Sequence, residues 1–188
     1  MVSLSVNVAR LAAVGAAAAS VIAAAVSPAS AVASAGRAAP AAAMNARAAV
    51  VPMCLDIGNT RNSGDNAQIW RCLGNANQKF VIDEGQVKVA DTIGKREEMC
   101  LDAGNTRNDG DNVQIWACQT PNANQRWVLR DGQLVLKDTV GRPREMCLDM
   151  GNTRNDGDNV QIWTCQAQNS NQRWVVQRGN IKAEDTLS

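Results

Sequence analysis

From residue 51 onward the chain alternates apolar and polar positions with a period of two. Val113-Gln114-Ile115-Trp116 and Val160-Gln161-Ile162-Trp163, with Gln68-Ile69-Trp70 in the same place, are the clearest cases. Short runs rich in β-formers follow at 79–82, 126–129 and 173–176, and again at 86–90, 133–137 and 180–183. Between these two sets stand Glu84-Gly85, Asp131-Gly132 and Arg178-Gly179, which read as tight turns. With the segments carrying Met-Cys-Leu-Asp, the pattern predicts about twelve short strands in three groups of four. No helical periodicity appears after residue 50.

The three groups are copies of one unit. Cys54-Leu55-Asp56, Cys100-Leu101-Asp102 and Cys147-Leu148-Asp149 recur at steps of 46 and 47 residues, and residues 99–119 and 146–166 differ at two of 21 positions. A closed all-β body removes exposed strand edges. Three four-stranded units suit a β-trefoil with pseudo-threefold symmetry, whereas a propeller normally needs at least four blades. The repeats run over 53–98, 99–145 and 146–188. The third stops soon after its last strand, so its closing partner is expected at the start of the first, about 49–53.

Six cysteines fall two per repeat, always 18 apart: Cys54 and Cys72, Cys100 and Cys118, Cys147 and Cys165. Six allow 15 pairings; threefold repetition favours pairing within each copy, and the close Cys pairs of a zinc site are missing. Each bridge would close a loop of about 19 residues, worth roughly 3 kcal/mol in the chain-entropy model.

The first 50 residues differ in kind. They are rich in Ala, Val and Ser and contain no acid. Arg10 precedes an apolar stretch, 11–26, followed by Pro28 and the small-residue site Ala29-Ser30-Ala31. This is the layout of a secretory signal peptide over 1–31, with 32–50 as an Ala/Pro-rich linker or pro-segment. The cysteines downstream favour the secreted reading; an organelle transit peptide is the rival, and the stretch is too weakly apolar for a stable membrane anchor. Three of the 19 basic residues lie in this segment, leaving 16 against 18 acids in the rest. A slightly acidic domain has no basic patch to attract a phosphate backbone, so nucleic acid is not an expected partner.

The chain has no histidine. The commonest general base and metal ligand is therefore missing, which argues against an enzyme and against a metal or other cofactor. The Gly-Asn-Thr-Arg-Asn loops lack the spacing of acids that an EF-hand requires; they read as turns. What remains is the placement of the aromatics. In the strand around Trp116, Val113, Ile115 and Ala117 share the core face, so Trp116 points away from it beside Gln114. Trp70 and Trp163 occupy the same place. Phe80, Trp127 and Trp174, which follow Asn-Gln-basic, read instead as core. If each cystine joined directly opposite residues, Asp102 would face Trp116, Asp56 would face Trp70 and Asp149 would face Trp163. A carboxylate beside an indole suits a sugar, whose C–H face lies on the ring while its hydroxyls bond to the acid.

Cys-Leu-Asp, Gln-Ile-Trp-x-Cys and Asn-Gln-x-Trp in threefold repetition resemble the ricin B-type lectin domain over about residues 51–188. The resemblance implies an all-β β-trefoil that binds glycans, in many members galactose or N-acetylgalactosamine. Its binding set maps onto Asp56, Gln68, Trp70, Asn77 and Gln78 in repeat one. In repeat two it maps onto Asp102, Gln114, Trp116, Asn124 and Gln125, and in repeat three onto Asp149, Gln161, Trp163, Asn171 and Gln172. Phe80 departs from the family's core tryptophan. The expectation is a secreted lectin with up to three sites. A trefoil acting through protein contacts, such as an inhibitor, is the alternative, although the repeats are too alike to single out one reactive loop. A glycosidase would need two carboxylates in one cleft, and each expected pocket offers one.

Overall fold

The computed structural model describes residues 50–187, and the expectations for the N-terminal segment, residues 1–31 and nearly all of 32–50, lie outside them. The described chain is all-β, with twelve four-residue strands. Repeat one contributes β1 (Met53–Asp56), β2 (Gln68–Arg71), β3 (Phe80–Asp83) and β4 (Gln86–Val89). Repeat two contributes β5 (Met99–Asp102), β6 (Gln114–Ala117), β7 (Trp127–Arg130) and β8 (Gln133–Leu136). Repeat three contributes β9 (Met146–Asp149), β10 (Gln161–Thr164), β11 (Trp174–Gln177) and β12 (Asn180–Ala183).

Each sheet takes two strands from one repeat and two from the next: β3-β4-β5-β6, β7-β8-β9-β10 and β11-β12-β1-β2. The last sheet joins the ends of the trefoil, with Cys54 paired to Lys182. The closing partner is thus β1 itself, slightly later than the expected 49–53. A buried threonine staples every such seam. Thr92, Thr139 and Thr186 donate to the carbonyls of Val89, Leu136 and Ala183. They accept the amides of Met99, Met146 and Met53 at 2.9–3.0 Å. This satisfies buried backbone groups where one repeat hands over to the next.

Period-two alternation produces the core. Leu55, Leu101 and Leu148 point inward with Ile69, Ile115 and Ile162, all fully buried. Phe80, Trp127 and Trp174 join them, in agreement with their core reading. Trp127 and Trp174 donate their indole N–H groups to the carbonyls of Leu101 and Leu148 at 3.1 and 3.0 Å, so each large ring is buried without an orphaned donor. Phe80 has no such donor.

Backbone contacts run cyclically between repeats at two levels. The hairpin turns at Glu84-Gly85, Asp131-Gly132 and Arg178-Gly179 have positive φ at both residues, the two-residue geometry that matches strand twist. Each turn glycine then accepts a strand amide from the next repeat: Trp127 to Gly85, Trp174 to Gly132 and Phe80 to Gly179, at 2.7–2.8 Å. Elsewhere, the amides of Gly64, Gly110 and Gly157 donate to Ile115, Ile162 and Ile69 at 2.8–3.0 Å.

The cysteines pair within each repeat, Cys54–Cys72, Cys100–Cys118 and Cys147–Cys165, with Cα–Cα separations of 5.0–5.1 Å. The strand register differs from the expected one. Asp102 lies opposite Gln114, and Trp116 opposite Cys100. Likewise Asp56 faces Gln68 and Asp149 faces Gln161. The reason is that the cystine spans a diagonal. Cys118 continues the ladder opposite Glu98, donating its amide to that carbonyl at 2.7 Å, and strand twist brings one diagonal pair within bridging range. The correction is a slip of two residues. An even slip leaves every side chain on its expected face.

Candidate functional site

Because the faces survive the slip, Asp102, Gln114 and Trp116 still converge on one cleft. It has a volume of about 260 Å³, with Asn105, Gln119, Asn122 and Asn124 also on its walls. In repeat one, Asp56, Gln68, Trp70, Asn59, Leu73, Asn75 and Asn77 line a cleft of about 180 Å³. The smaller size follows a shorter loop: five residues lie between Cys72 and Gln78, against six between Cys118 and Gln125. In repeat three, Asp149 is placed as in the other two repeats and Trp163 is exposed like Trp116. The indoles of Trp116 and Trp163 are 39% and 36% exposed, while Trp70 is half-buried.

Each aspartate is only 3–4% exposed and is held rigidly. Asp56, Asp102 and Asp149 accept the amide two residues ahead, from Gly58, Gly104 and Gly151, at 2.7 Å in each case. These glycines have φ of 67–69°, a conformation costly for other residues. The strand glutamines of repeats one and three add a bond: Gln68 reaches Asp56 at 3.0 Å and Gln161 reaches Asp149 at 3.3 Å. A carboxylate has about four lone-pair positions, so capacity remains toward the cleft.

The second member of each Asn-Gln pair lies elsewhere. Gln78, Gln125 and Gln172 are fully buried and are not part of the cleft walls. Gln125 donates to the Asp102 carboxylate and to the Ala117 carbonyl, both at 3.0 Å, and accepts the Gln119 amide at 2.8 Å. Gln172 repeats this with Asp149, Thr164 and Gln166. Gln78 holds the backbone of Arg71, Leu73 and Gly74. These glutamines sit behind the clefts and position them. The cause is local: Asn-Gln closes a 3₁₀ turn (Ala76–Gln78, Ala123–Gln125, Ser170–Gln172) whose last residue turns inward.

Two further sets of residues were not anticipated from the sequence. The arginine of each Gly-Asn-Thr-Arg-Asn loop orients the cleft asparagine. Arg107 donates to the Asn124 side-chain oxygen at 2.7 Å and pairs with Asp138, while Asn124 donates to Asn105 at 2.8 Å. Arg61 and Arg154 hold Asn77 and Asn171 in the same way. The recurrence of Arg at one spacing in all three repeats was the available signal. The second set comes from the neighbouring repeat. A Cβ built on Gly64, Gly110 or Gly157 would lie 3.6–3.8 Å from the ring of Trp116, Trp163 or Trp70. The loop before each glycine also fixes the strand beyond the ring: Ser63 accepts the Ala117 amide, Asp109 the Thr164 amide and Asp156 the Arg71 amide. Each indole is therefore seated by the preceding repeat.

Electrostatics keep these loops in shape. The Thr106 hydroxyl holds the Asp111 carboxyl below the usual carboxylate range, and Thr153 does the same for Asp158. Arg71 lowers Asp156 through a hydrogen bond at the surface.

Residues 94–186 match the family model of the ricin-type beta-trefoil lectin domain. The solved structure of ThreeFoil, a designed threefold-symmetric protein, is 25% identical with a TM-score of 0.51, over 66% of this chain and 94% of that one. The β-trefoil lectin of Vibrio vulnificus hemolysin/cytolysin, solved with N-acetyl-D-lactosamine bound, is 20% identical with a TM-score of 0.48, over 66% and 90%. No curated protein matches the sequence. The matched span contains repeats two and three, and repeat one shares their strands, disulfide and Cys-Leu-Asp to Gln-Ile-Trp spacing. With twelve strands in three interlocked sheets the described chain is a β-trefoil, and its residues 94–186 match the ricin-type lectin domain of that fold.

Proposed function

We propose that this protein binds glycans of the galactose or N-acetylgalactosamine type through up to three clefts, one per repeat. The observation that carries the reading is a solvent-open indole, Trp116, sharing a sugar-sized cleft with a carboxylate, Asp102, that is buried but still has acceptor capacity. The C–H face of a pyranose would stack on the ring. Two vicinal hydroxyls would donate to the acid, each bond contributing about 1.5–3 kcal/mol with water excluded. Asn124, held by Arg107 and Asn105, offers a further polar contact on the rim. One small cleft gives weak affinity; several on one glycan surface give avidity. A single carboxylate lines each of the two clefts, which suits binding and not two-carboxylate hydrolysis.

The three disulfides belong to an oxidising, non-cytosolic compartment. Secretion directed by residues 1–31 is part of the proposal. Among the described residues no helix is long and apolar enough to cross a membrane. Retention on immobilised galactose tests the reading. Asp102→Ala and Trp116→Ala should each weaken retention without unfolding the domain, and the combined Asp56, Asp102 and Asp149 variant should elute unbound. Undiminished retention of that combined variant would overturn the assignment of the clefts.

A further inference from the structure

A second cleft, of about 320 Å³, adjoins the first in repeat two, and Asn122 lines both. Pro121 and Ala123 supply apolar wall, and Arg126 and Lys137 supply charge. The sequence makes this place unlike its counterparts. Gln168 stands where repeat two has Pro121, and repeat one is one residue shorter there. Lys137 is matched by Ala90 in repeat one and Glu184 in repeat three.

The last difference changes the electrostatics. In repeat three, Arg173 is neutralised by Glu184 at 3.0 Å. In repeat one, Lys79 is taken up by the Arg178 carbonyl and the Asn180 side chain. In repeat two both positions are cationic and adjacent, since the Lys137 amide donates to the Arg126 carbonyl at 2.8 Å. Arg126 bonds only to neutral oxygens, those of Glu84 and Thr120. Among the described residues neither cation has an acidic partner within ion-pair distance. Of the two carboxylates on the wall, Asp138 is engaged by Arg107 at 3.3 Å. Glu84 alone offsets the two cations, so a positive surplus remains.

We propose that this second cleft is an acidic-sugar subsite of repeat two. An oligosaccharide whose galactose-type unit occupies the Trp116 cleft would pass over Asn122. The adjoining unit, or a substituent on the bound one, would lie against Pro121 and Ala123 with a carboxylate or sulfate toward Arg126 and Lys137. The inference rests on the lectin reading above and adds a ligand class that only one of the three repeats would select.

Nuclear magnetic resonance of the full chain resolves the sites through the indole N–H signals of Trp70, Trp116 and Trp163. Titration with galactose, lactose, sialyllactose and sulfated lactose should shift Trp116 at about tenfold lower concentration for the acidic chains, and Trp70 and Trp163 should show no such preference. Preference for only one of the two acidic forms would identify the group as carboxylate or sulfate. Lys137→Glu recreates the pair already present in repeat three, so the fold tolerates it. It should abolish the acidic preference at Trp116 and leave galactose binding unchanged. Galactose binding without acidic preference, or a preference that persists in Lys137→Glu, overturns the subsite alone. No response to any of the sugars overturns the lectin reading itself, and the subsite with it.

Discussion

Gln125→Glu is nearly isosteric, yet it should turn repeat two into a pH-sensitive element. The wild-type amide donates to the Asp102 carboxylate at 3.0 Å from a fully buried position. A glutamate there sets two carboxylates at that distance. If both were ionised, their repulsion would be about 5–6 kcal/mol at an effective dielectric near 20. Keeping a proton on the pair is the easier course. Near pH 7 it costs about 1.4 kcal/mol for each unit above the ordinary glutamate value of about 4.3, or about 4 kcal/mol in all. The sign follows from the raised folded-state pKa. Relative to wild type, the variant keeps most of its stability below about pH 4.3 and loses it as pH rises, by about 1.4 kcal/mol per unit. The loss levels off above the raised folded-state value. At low pH a residual deficit of about 1 kcal/mol remains, because a neutral acid has one donor where the amide had two. Near neutral pH the two losses together should lower the melting temperature by about 20 °C, taking about 4 °C per kcal/mol for a domain of this size. Calorimetric melts of both proteins from acidic to neutral pH measure the gap. Gln172→Glu, beside Asp149 at 3.1 Å, should behave alike. Gln78→Glu should respond less, since Gln78 faces backbone groups. A gap that stays constant with pH would refute the reasoning.

Removing one cystine as Cys100→Ala with Cys118→Ala should destabilise the domain by about 3 kcal/mol, visible as a lower urea midpoint with all three repeats still folded. Gly110→Val places a branched side chain at φ 92°, next to the Trp163 ring. It should cost about 1–2 kcal/mol in backbone strain and weaken sugar binding at Trp163 while sparing Trp116, as read from the indole signals. Because hydrogen bonds hold Asp111 and Asp158 low, their contribution is complete above the unfolded value of about 3.9 and is lost as pH falls through the lower folded value. Acid titration of the urea midpoint should show this loss, and Asp111→Asn with Asp158→Asn should flatten it.

The sequence alone determined the strands, their grouping into three sets of four, the pairing of the cysteines and the outward direction of Trp70, Trp116 and Trp163. All of these follow from short-range periodicity or from the recurrence of one unit, and neither depends on how distant segments meet. Side-chain parity is so robust that the slip from the expected Asp102–Trp116 pairing to the observed Asp102–Gln114 pairing moved no residue off its face. That slip itself was decided by tertiary structure, because a cystine can bridge either a direct or a diagonal pair and only strand twist selects between them. The inward turn of Gln125 was hidden for a related reason. Neighbouring Asn124 and Gln125 look equivalent as letters, and the 3₁₀ turn sends one to the cleft and the other behind it. Contacts such as Gly64 against Trp116, or Glu84 against Arg126 in the second cleft, join segments far apart in the chain. They exist only because the trefoil closes, and local pattern carries no record of them.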